Sequence, residues 1–339
     1  MATHMRIHHN QSLKPYNTFG IEVKAETLVS TQVAEEVPGF FDRFGQPPAL
    51  VLGGGSNVLI TSDISGVVMK MEIPGIRVID ETDTYLLVEA GAGVVWHEFV
   101  MHCIEQNWAG VENLSLIPGS VGAAPMQNIG AYGVELESVF EKLEAYHWPE
   151  KRFVTFRKEE CEFGYRDSIF KRQLKGEAII TSVTFRLSKV PKYNIGYGTL
   201  QQQLEMMGVK ELTLRAVSEA VMAIRRSKLP DPSKLGNSGS FFKNPVVDKA
   251  TFEQLLQKYP DAVGYPVADG VKVAAGWLIE KAGLKGKRFG NCGVHDRQAL
   301  VLVNYGGATG AEIYRLSETV INRVYEQFGI TLEREVNVI

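Results

Sequence analysis

Two stretches of nearly bare backbone constrain this chain more than any other feature. Gly53-Gly54-Gly55-Ser56-Asn57 stands between the apolar runs 48–52 and 57–60, and a longer run, Ile117-Pro118-Gly119-Ser120-Val121-Gly122-Ala123-Ala124-Pro125-Met126-Gln127-Asn128-Ile129-Gly130-Ala131-Tyr132-Gly133, follows later. Without side chains, successive N–H groups can come close to an anionic ligand and cradle a pyrophosphate. An isolated glycine turn reads first as a plain tight turn, and the longer run as a structural Ω-loop. Two such clusters in one half of a chain suggest a large cofactor. The first is not a P-loop, because no Gly-Lys-Ser/Thr follows it. Thirty-three of the 339 residues are glycine, above an average share of about 7%, and the excess lies in clusters.

Composition removes several classes of function. The 36 basic and 39 acidic residues leave a net charge of −3 without a long block of one sign, so bulk nucleic-acid or anionic-membrane binding has no electrostatic footprint. Three cysteines, Cys103, Cys161 and Cys292, lie far apart and support neither a disulfide framework nor a structural zinc site. No apolar run approaches a membrane span, and the opening residues MATHMRIHHN lack the apolar core of a secretion signal. A cytoplasmic protein without membrane insertion is expected. His8 and His9 read as part of a disordered or tag-like end rather than a metal site, and no metal is expected elsewhere.

The length suggests two or three domains. Short strands are expected at 48–52, 57–60, 66–71, 76–80 and 85–90, then a helix over 95–107. Residues 111–133 should be mostly loop, followed by a hairpin at 141–156, a strand at 179–187 and a helix over 211–227. Lys228-Leu229-Pro230-Asp231-Pro232 is a linker signature, because two prolines in three residues cannot continue a helix. Beyond it come helices at 248–258, 274–282 and 311–328 with a strand at 300–304, and the alternation over 331–339 predicts a half-buried strand. The texture is α+β.

Gly91-Ala92-Gly93 invites a dinucleotide-binding reading, but Trp96 occupies the place of the third glycine. His97 and His102 are five residues apart, fall on different faces of the expected helix, and read as helix surface and core. No G-x-S-x-G occurs, so a nucleophile elbow is unsupported. Three elements could carry chemistry, although each alone is an ordinary turn or solvated face. Arg166 sits among turn formers in Gly164-Tyr165-Arg166-Asp167-Ser168, where a fixed guanidinium could bind a carboxylate. Ser240 lies between Gly239 and two phenylalanines, where a hydroxyl could donate a proton. Glu333 and Glu335 are expected on one strand face, roughly 7 Å apart.

Taken in order, Lys14-Pro15-Tyr16-Asn17-Thr18-Phe19-Gly20, the GGGSN loop, 116–133, the YRDS turn, Arg225 with Ser227-Lys228-Leu229-Pro230-Asp231-Pro232, GSFFKNP, Ala274-Ala275-Gly276-Trp277-Leu278-Ile279 and the terminal LEREV segment resemble the UDP-N-acetylenolpyruvoylglucosamine reductase (MurB) family over about 12–338. The loop Tyr193-Asn194-Ile195-Gly196-Tyr197-Gly198 looks like the mobile tyrosine loop of its type I subgroup. Arg334 stands where the resemblance implies a proline.

The resemblance implies an FAD-binding domain of the vanillyl-alcohol-oxidase type made of two subdomains, 12–75 and 76–228, the latter joined by a C-terminal strand at 330–339. A smaller α/β substrate domain covers 229–329. It implies noncovalent FAD, NADPH as reductant, a monomer, and the reduction of UDP-N-acetylenolpyruvoylglucosamine to UDP-N-acetylmuramate for peptidoglycan. The implied cofactor contacts are Gly53, Gly54, Gly55, Ser56, Asn57, Pro118, Gly119, Ser120, Gly122, Ala123, Gln127, Asn128, Gly130, Ala131 and Tyr132. Ser240 is the implied proton donor, Arg166 and Glu335 the implied stabilisers of an enolate-like intermediate. Tyr165, Tyr197, Arg225, Lys228, Asn244 and Gln298 are the implied substrate contacts. Another FAD oxidoreductase of this fold, acting on an alcohol, lactone or sugar, or a non-catalytic flavin- or nucleotide-sugar-binding module, is the competing reading.

Overall fold

The computed structural model describes residues 5–339. The chain divides into two compact units. The first takes the chain up to Gln11, Ala25–Gly54 and Ile64–Ser227, and the second takes Ser12–Lys24, Gly55–Asp63 and Lys228–Ile339.

Two sheets make up the first unit. In the four-stranded sheet the order is Arg6–Ser12, Lys24–Thr31, Ile64–Met71, Leu50–Leu52. Val68 is paired in parallel with Leu28 on one side and Leu50 on the other, so the middle strand is shielded at both edges. Parallel strands need a covered face. The helix Glu36–Phe44 supplies part of that cover, since Val37 and Phe40 share a core with Val29, Val67 and Met69, and Gly45 ends the helix in the left-handed conformation. The five-stranded antiparallel sheet runs Arg152–Arg157, Phe140–His147, Ala178–Ser188, Tyr85–Gly91, Ile76–Glu81. Phe185 and Val183 of its middle strand pair with Val88 and Ala90, which puts a continuous apolar face under the helix Trp96–Glu105. Trp96, Phe99 and Phe185 interlock there, with ring centroids 5.6 Å (Trp96 to Phe99), 5.8 Å (Trp96 to Phe185) and 4.6 Å (Phe99 to Phe185) apart. A smaller core joins the helices Leu200–Met206 and Leu214–Lys228 through Leu204, Val217, Val221 and Ile224.

The second unit holds a four-stranded sheet ordered Gly236–Ser240, Val301–Asn304, Cys292–Val294, Arg288–Phe289, with the helix Gly310–Phe328 beside it. That helix begins with a capping box in which the Thr309 and Glu312 side chains cap each other's backbone N–H, and it ends at Gly329. A three-stranded sheet, Val246–Val247, Gly270–Val273, Gly264–Val267, lies in the same unit.

Two expectations need correction. His8 and His9 do not lie in a loose end, because Arg6–Ser12 is an edge strand in which His9 Nδ1 lies 3.2 Å from Thr27 Oγ1; residues 1–4 lie outside the described residues. The strand expected over 331–339 is shorter. Only Asn337–Val338 is regular strand, and it pairs in parallel with Val58–Leu59 inside the second unit. Residues 12–24 and 55–63 belong to the second unit as well. The physical reason is local: Asn17 donates to the Leu13 and Ile21 carbonyls at 2.8 and 3.0 Å and accepts from Ile21 N–H, closing a turn whose Thr18 N–H reaches Gly55 O at 3.0 Å. Gly310 in turn lies directly on the Ile60 carbonyl, with no room for a side chain.

Phe185 is fully buried at the meeting of sheet and helix. Phe185→Ala should therefore destabilise the first unit by about 3–5 kcal/mol in urea unfolding followed by tryptophan emission. A shift under about 1 kcal/mol would mean that the aromatic cluster is not what holds this helix to its sheet.

Candidate active site

The two glycine stretches meet in the first unit. A methyl group on Gly54 would lie 2.8 Å from Gly119 Cα, and one on Gly53 would strike Ser120 Oγ, so only bare backbone permits this approach. Ala123 lines the same spot, 3.5 Å from a methyl on Gly53, and Gly122 packs on Ala92 with no space for a Cβ. Pro118 precedes the contact, and Gly119 adopts φ 120°, a conformation that side chains disfavour. The longer stretch is fixed to the helix Trp96–Glu105, since Trp96 N–H donates to Gly119 O and its indole N–H to Leu114 O, both at 3.0 Å. Behind the shorter one, Lys70 Nζ donates to Gly53 O at 2.5 Å, and burial pushes this ammonium below its ordinary pKa against the opposing pull of Glu72. Ser120 Oγ is buried and has no hydrogen-bond partner among the described residues. An orphan hydroxyl beside bare backbone and near a half-buried cation fits the phosphates of a dinucleotide such as FAD. Gly55, Ser56 and Asn57 continue this loop in the second unit, where Asn57 Nδ2 donates to Glu335 O at 3.3 Å.

Further along, Gly130 and Ala131 pair with Glu135 and Val134 in a small hairpin whose tip is Tyr132-Gly133. Asn128 does not offer its amide to a ligand. Nδ2 donates to Glu135 Oε2 at 3.1 Å and Gly164 O at 3.2 Å, while Oδ1 accepts from Glu137 N–H at 3.0 Å, so the side chain is a strut of the loop. Next to Asn128, Met126 O accepts from Ser168 Oγ at 2.7 Å, tying the Gln127 turn to the YRDS segment.

That segment is a tight turn in which Gly164 and Asp167 exchange backbone hydrogen bonds of 3.1 and 3.2 Å. Arg166 occupies its left-handed position, φ 54°, an uncommon place for a non-glycine residue. Its Nη2 donates to Gly130 O at 2.7 Å, and its guanidinium lies 5.3 Å from the Tyr165 ring centroid. Arg225, on the helix Leu214–Lys228, has a buried Nε without a partner among the described residues. Burial disfavours its charge, nearby Tyr132 favours it, and Arg166 disfavours it. Burial likewise raises the Tyr132 phenol above its ordinary pKa, opposed by Arg225. Arg166, Arg225 and Tyr132 are thus one electrostatic cluster. Two guanidiniums that act on each other in a partly buried place can take up an anion.

Tyr197 is exposed, and its loop is anchored by Asn194. Asn113 Nδ2 donates to Tyr132 O at 2.9 Å and Asn194 O at 2.8 Å, and Asn194 Nδ2 donates to Gly133 O at 3.0 Å. Asn113 and Lys70 were not among the expected site residues, because neither lies in a motif and both work through backbone carbonyls distant in sequence.

In the second unit, Ser240 ends a strand, paired with Val301, after Gly239 at φ 70°. Phe241 N–H donates to Leu300 O at 2.7 Å, and Phe241 O accepts from Glu335 N–H at 2.8 Å. The backbone therefore brings Glu335 beside the residue that follows Ser240. Asn244 Oδ1 accepts from Ala275 N–H at 2.9 Å, and Gln298 Oε1 would lie 3.2 Å from a methyl on Gly276, so these two amides meet at the start of the helix Ala275–Lys281. Lys228 is exposed at the end of its helix. Glu333 and Glu335 are not equivalent: Glu333 is ion-paired with Lys243 at 2.6 Å with a side chain 72% exposed, whereas Glu335 is half-buried. Arg334, where a proline was expected, donates Nε to Ser317 Oγ at 2.8 Å, pairs with Glu318, and lies 4.6 Å from the Tyr314 ring centroid. It clamps the segment that carries Glu335.

A profile of an FAD-binding domain matches residues 41–148, and the chain is an FAD-dependent oxidoreductase of the vanillyl-alcohol-oxidase-type fold. The profile of the C-terminal domain of UDP-N-acetylenolpyruvoylglucosamine reductase matches residues 231–339. A UDP-N-acetylenolpyruvoylglucosamine reductase of Flavobacterium johnsoniae is 50% identical over 99% of this chain and 100% of its own. Those of Chromobacterium violaceum and Pseudomonas aeruginosa are 51% and 50% identical, over 95% and 96% of this chain and 96% and 97% of their own. The crystal structure of the Thermus caldophilus enzyme shares the fold at a TM-score of 0.67 and 24% identity, covering 98% of this chain and 99% of that one. The chain belongs to the UDP-N-acetylenolpyruvoylglucosamine reductase family.

Gly54→Ala should weaken FAD binding by at least about tenfold in a flavin fluorescence titration, because the added methyl must push the Gly119 backbone away. Gly196→Ala is the control, since its added methyl has nothing within 4 Å. Equal affinities in the two variants would show that the close approach does not shape the cofactor site.

Proposed function

We propose that this protein catalyses the NADPH-dependent reduction of UDP-N-acetylenolpyruvoylglucosamine to UDP-N-acetylmuramate, a step of peptidoglycan precursor synthesis, in the cytoplasm and as a monomer. The observation that carries the reading is identity of about one half over nearly the whole length of relatives bearing that enzyme name. Residues 12–75 and 76–228 are read as the FAD-binding subdomains and 229–329 as the substrate domain. Gly53, Gly54, Gly119 and Ser120 would hold the phosphates of a noncovalently bound FAD. Among the described residues no helix is long and apolar enough to cross a membrane.

When bound, the flavin supplies a hydride for the β-carbon of the enolpyruvyl group. The residues of the chain handle charge and protons. Hydride addition pushes electrons onto the enolpyruvyl carboxylate, and a guanidinium fixed by its bond to Gly130 O is ready for that charge without reorganising. Arg166 has this role, with Glu335 as the second hydrogen-bonding group. Ser240 delivers the proton to the α-carbon, completing addition of hydride and proton across the double bond, and is reprotonated from solvent. Arg225, Lys228, Asn244, Gln298, Tyr165 and Tyr197 bind the nucleotide sugar. Support for Arg225 is its buried Nε, without a partner among the described residues, a donor that a substrate anion or carbonyl would satisfy.

Purified yellow protein should oxidise NADPH rapidly only when the enolpyruvyl substrate is added; rapid substrate-independent oxidation, or no turnover with it, would defeat the assignment. Ser240→Ala should spare flavin reduction by NADPH and slow reoxidation by substrate about a hundredfold or more, as expected for loss of a general acid. Equal slowing of both half-reactions in stopped flow would make Ser240 structural. Glu335→Gln, which keeps shape and a hydrogen-bond donor, should retain far more turnover than Glu335→Ala. Near-normal activity in Glu335→Ala would remove it from the mechanism.

A further inference from the structure

His97 lies at the start of the helix Trp96–Glu105, and its Nδ1 accepts the Leu116 N–H at 3.0 Å. Leu116 adopts φ 60°, a left-handed conformation that is strained for a side-chain-bearing residue and persists only where neighbours enforce it. It immediately precedes Ile117-Pro118-Gly119-Ser120, the segment whose backbone meets Gly53-Gly54. The Trp96 N–H and indole hold the two flanks of this stretch, at Gly119 and Leu114, while the strained residue between them is held by His97.

The contact requires a lone pair on Nδ1, which a neutral imidazole has and an imidazolium lacks. The charged groups acting on His97 come from two helices: Arg226 and Arg225 from Leu214–Lys228, and Glu98 from its own. Burial, then the two arginines, lower its pKa against the weaker pull of Glu98, so the acceptor form is favoured.

We propose that His97 is a positioning residue for the cofactor cradle, its Nδ1 holding the Leu116 N–H and through it the Gly119-Ser120 backbone in the place where it faces Gly53-Gly54. The proposal rests on the FAD reading of that cradle. It carries a pH dependence of fixed sign. A histidine whose native pKa is depressed contributes its stability fully above the unfolded-state value and loses it as pH falls below that value. Protonating Nδ1 also removes the lone pair that holds the Leu116 N–H, so the cradle loses this support and cofactor binding should weaken in mild acid.

The test is a titration of flavin-free protein with FAD, followed by flavin fluorescence at about pH 7.5 and about pH 5.5, on either side of the ordinary histidine value near 6.5. Wild type, His97→Asn and His97→Ala are compared. Asparagine puts its Oδ1 where Nδ1 was and does not titrate. At the higher pH, His97→Ala should bind FAD about tenfold more weakly, the scale of one lost hydrogen bond, and His97→Asn within about threefold of wild type. Between the two pH values wild type should lose several-fold more affinity than His97→Asn. Equal acid losses in wild type and His97→Asn, or full affinity in His97→Ala, would overturn the proposal. Should His97→Ala fail to fold, hydrogen exchange at Leu116 in the wild-type apoprotein still decides: slow exchange at the higher pH with release in acid supports the contact, and free exchange at both refutes it. Failure of wild type to bind FAD at all would sink the FAD reading instead, and the exchange measurement would still report on His97 and Leu116.

Discussion

The close approach of two bare backbones, Gly54 against Gly119, governs the first unit. A side chain on Gly54 would push the loops apart, and the approach is useful only if both are held rigidly from behind. Trp96 does this for the longer loop. Its ring belongs to the aromatic core with Phe99 and Phe185, while its backbone and indole N–H groups reach the carbonyls of Gly119 and Leu114. Lys70 does it for the shorter one, through the Gly53 carbonyl. Because a peptide unit is planar and trans, fixing that carbonyl also fixes the opposite direction of the Gly54 N–H. The cradle is therefore an outgrowth of the packed sheets and not an independent loop.

A second tension lies in the cluster of Arg166, Arg225 and Tyr132. Two guanidiniums repel, and a buried Nε without an acceptor costs free energy relative to water. A site arranged this way is less stable than the same fold with apolar residues, and it gains most when an anion enters. Such differences appear as ligand-dependent stabilisation in proportion to affinity and concentration.

Much of this was legible in residue order. Alternation and periodicity located the strand 85–91, the helices at Trp96–Glu105 and Gly310–Phe328, and the break after Lys228, because each buries one regular face. Period could not locate Arg6–Ser12, whose polar RIHHNQS sequence forms an edge strand through backbone pairing alone. The helix Glu36–Phe44 was hidden by an internal proline and glycine, which its apolar contacts override. At the site, the glycine clusters were visible because close backbone contact demands a residue type. Lys70, Asn113 and His97 were not, since each serves a main-chain group 17 to 81 residues away and no local pattern records that partner. Asn128 shows the opposite limit: motif matching marked it, and only its three hydrogen bonds revealed a strut.

The second unit is threaded from three pieces of chain, and this bears on the order in which the protein can be made. Residues 12–24 and 55–63 leave the ribosome early, yet their partners are distant: Asn304 bonds to Phe19 O across 285 positions, and Ile339 O is bound by the hydroxyl and N–H of Thr61 across 278. At a synthesis rate of about 5–20 residues per second, these segments wait on the order of tens of seconds for the rest of their unit. During that interval the first unit can already close, because Gly53-Gly54 and Gly119-Ser120 are both present long before Lys228 emerges. The contact of the two glycine loops can then form before the strand that ends at Ser240 exists.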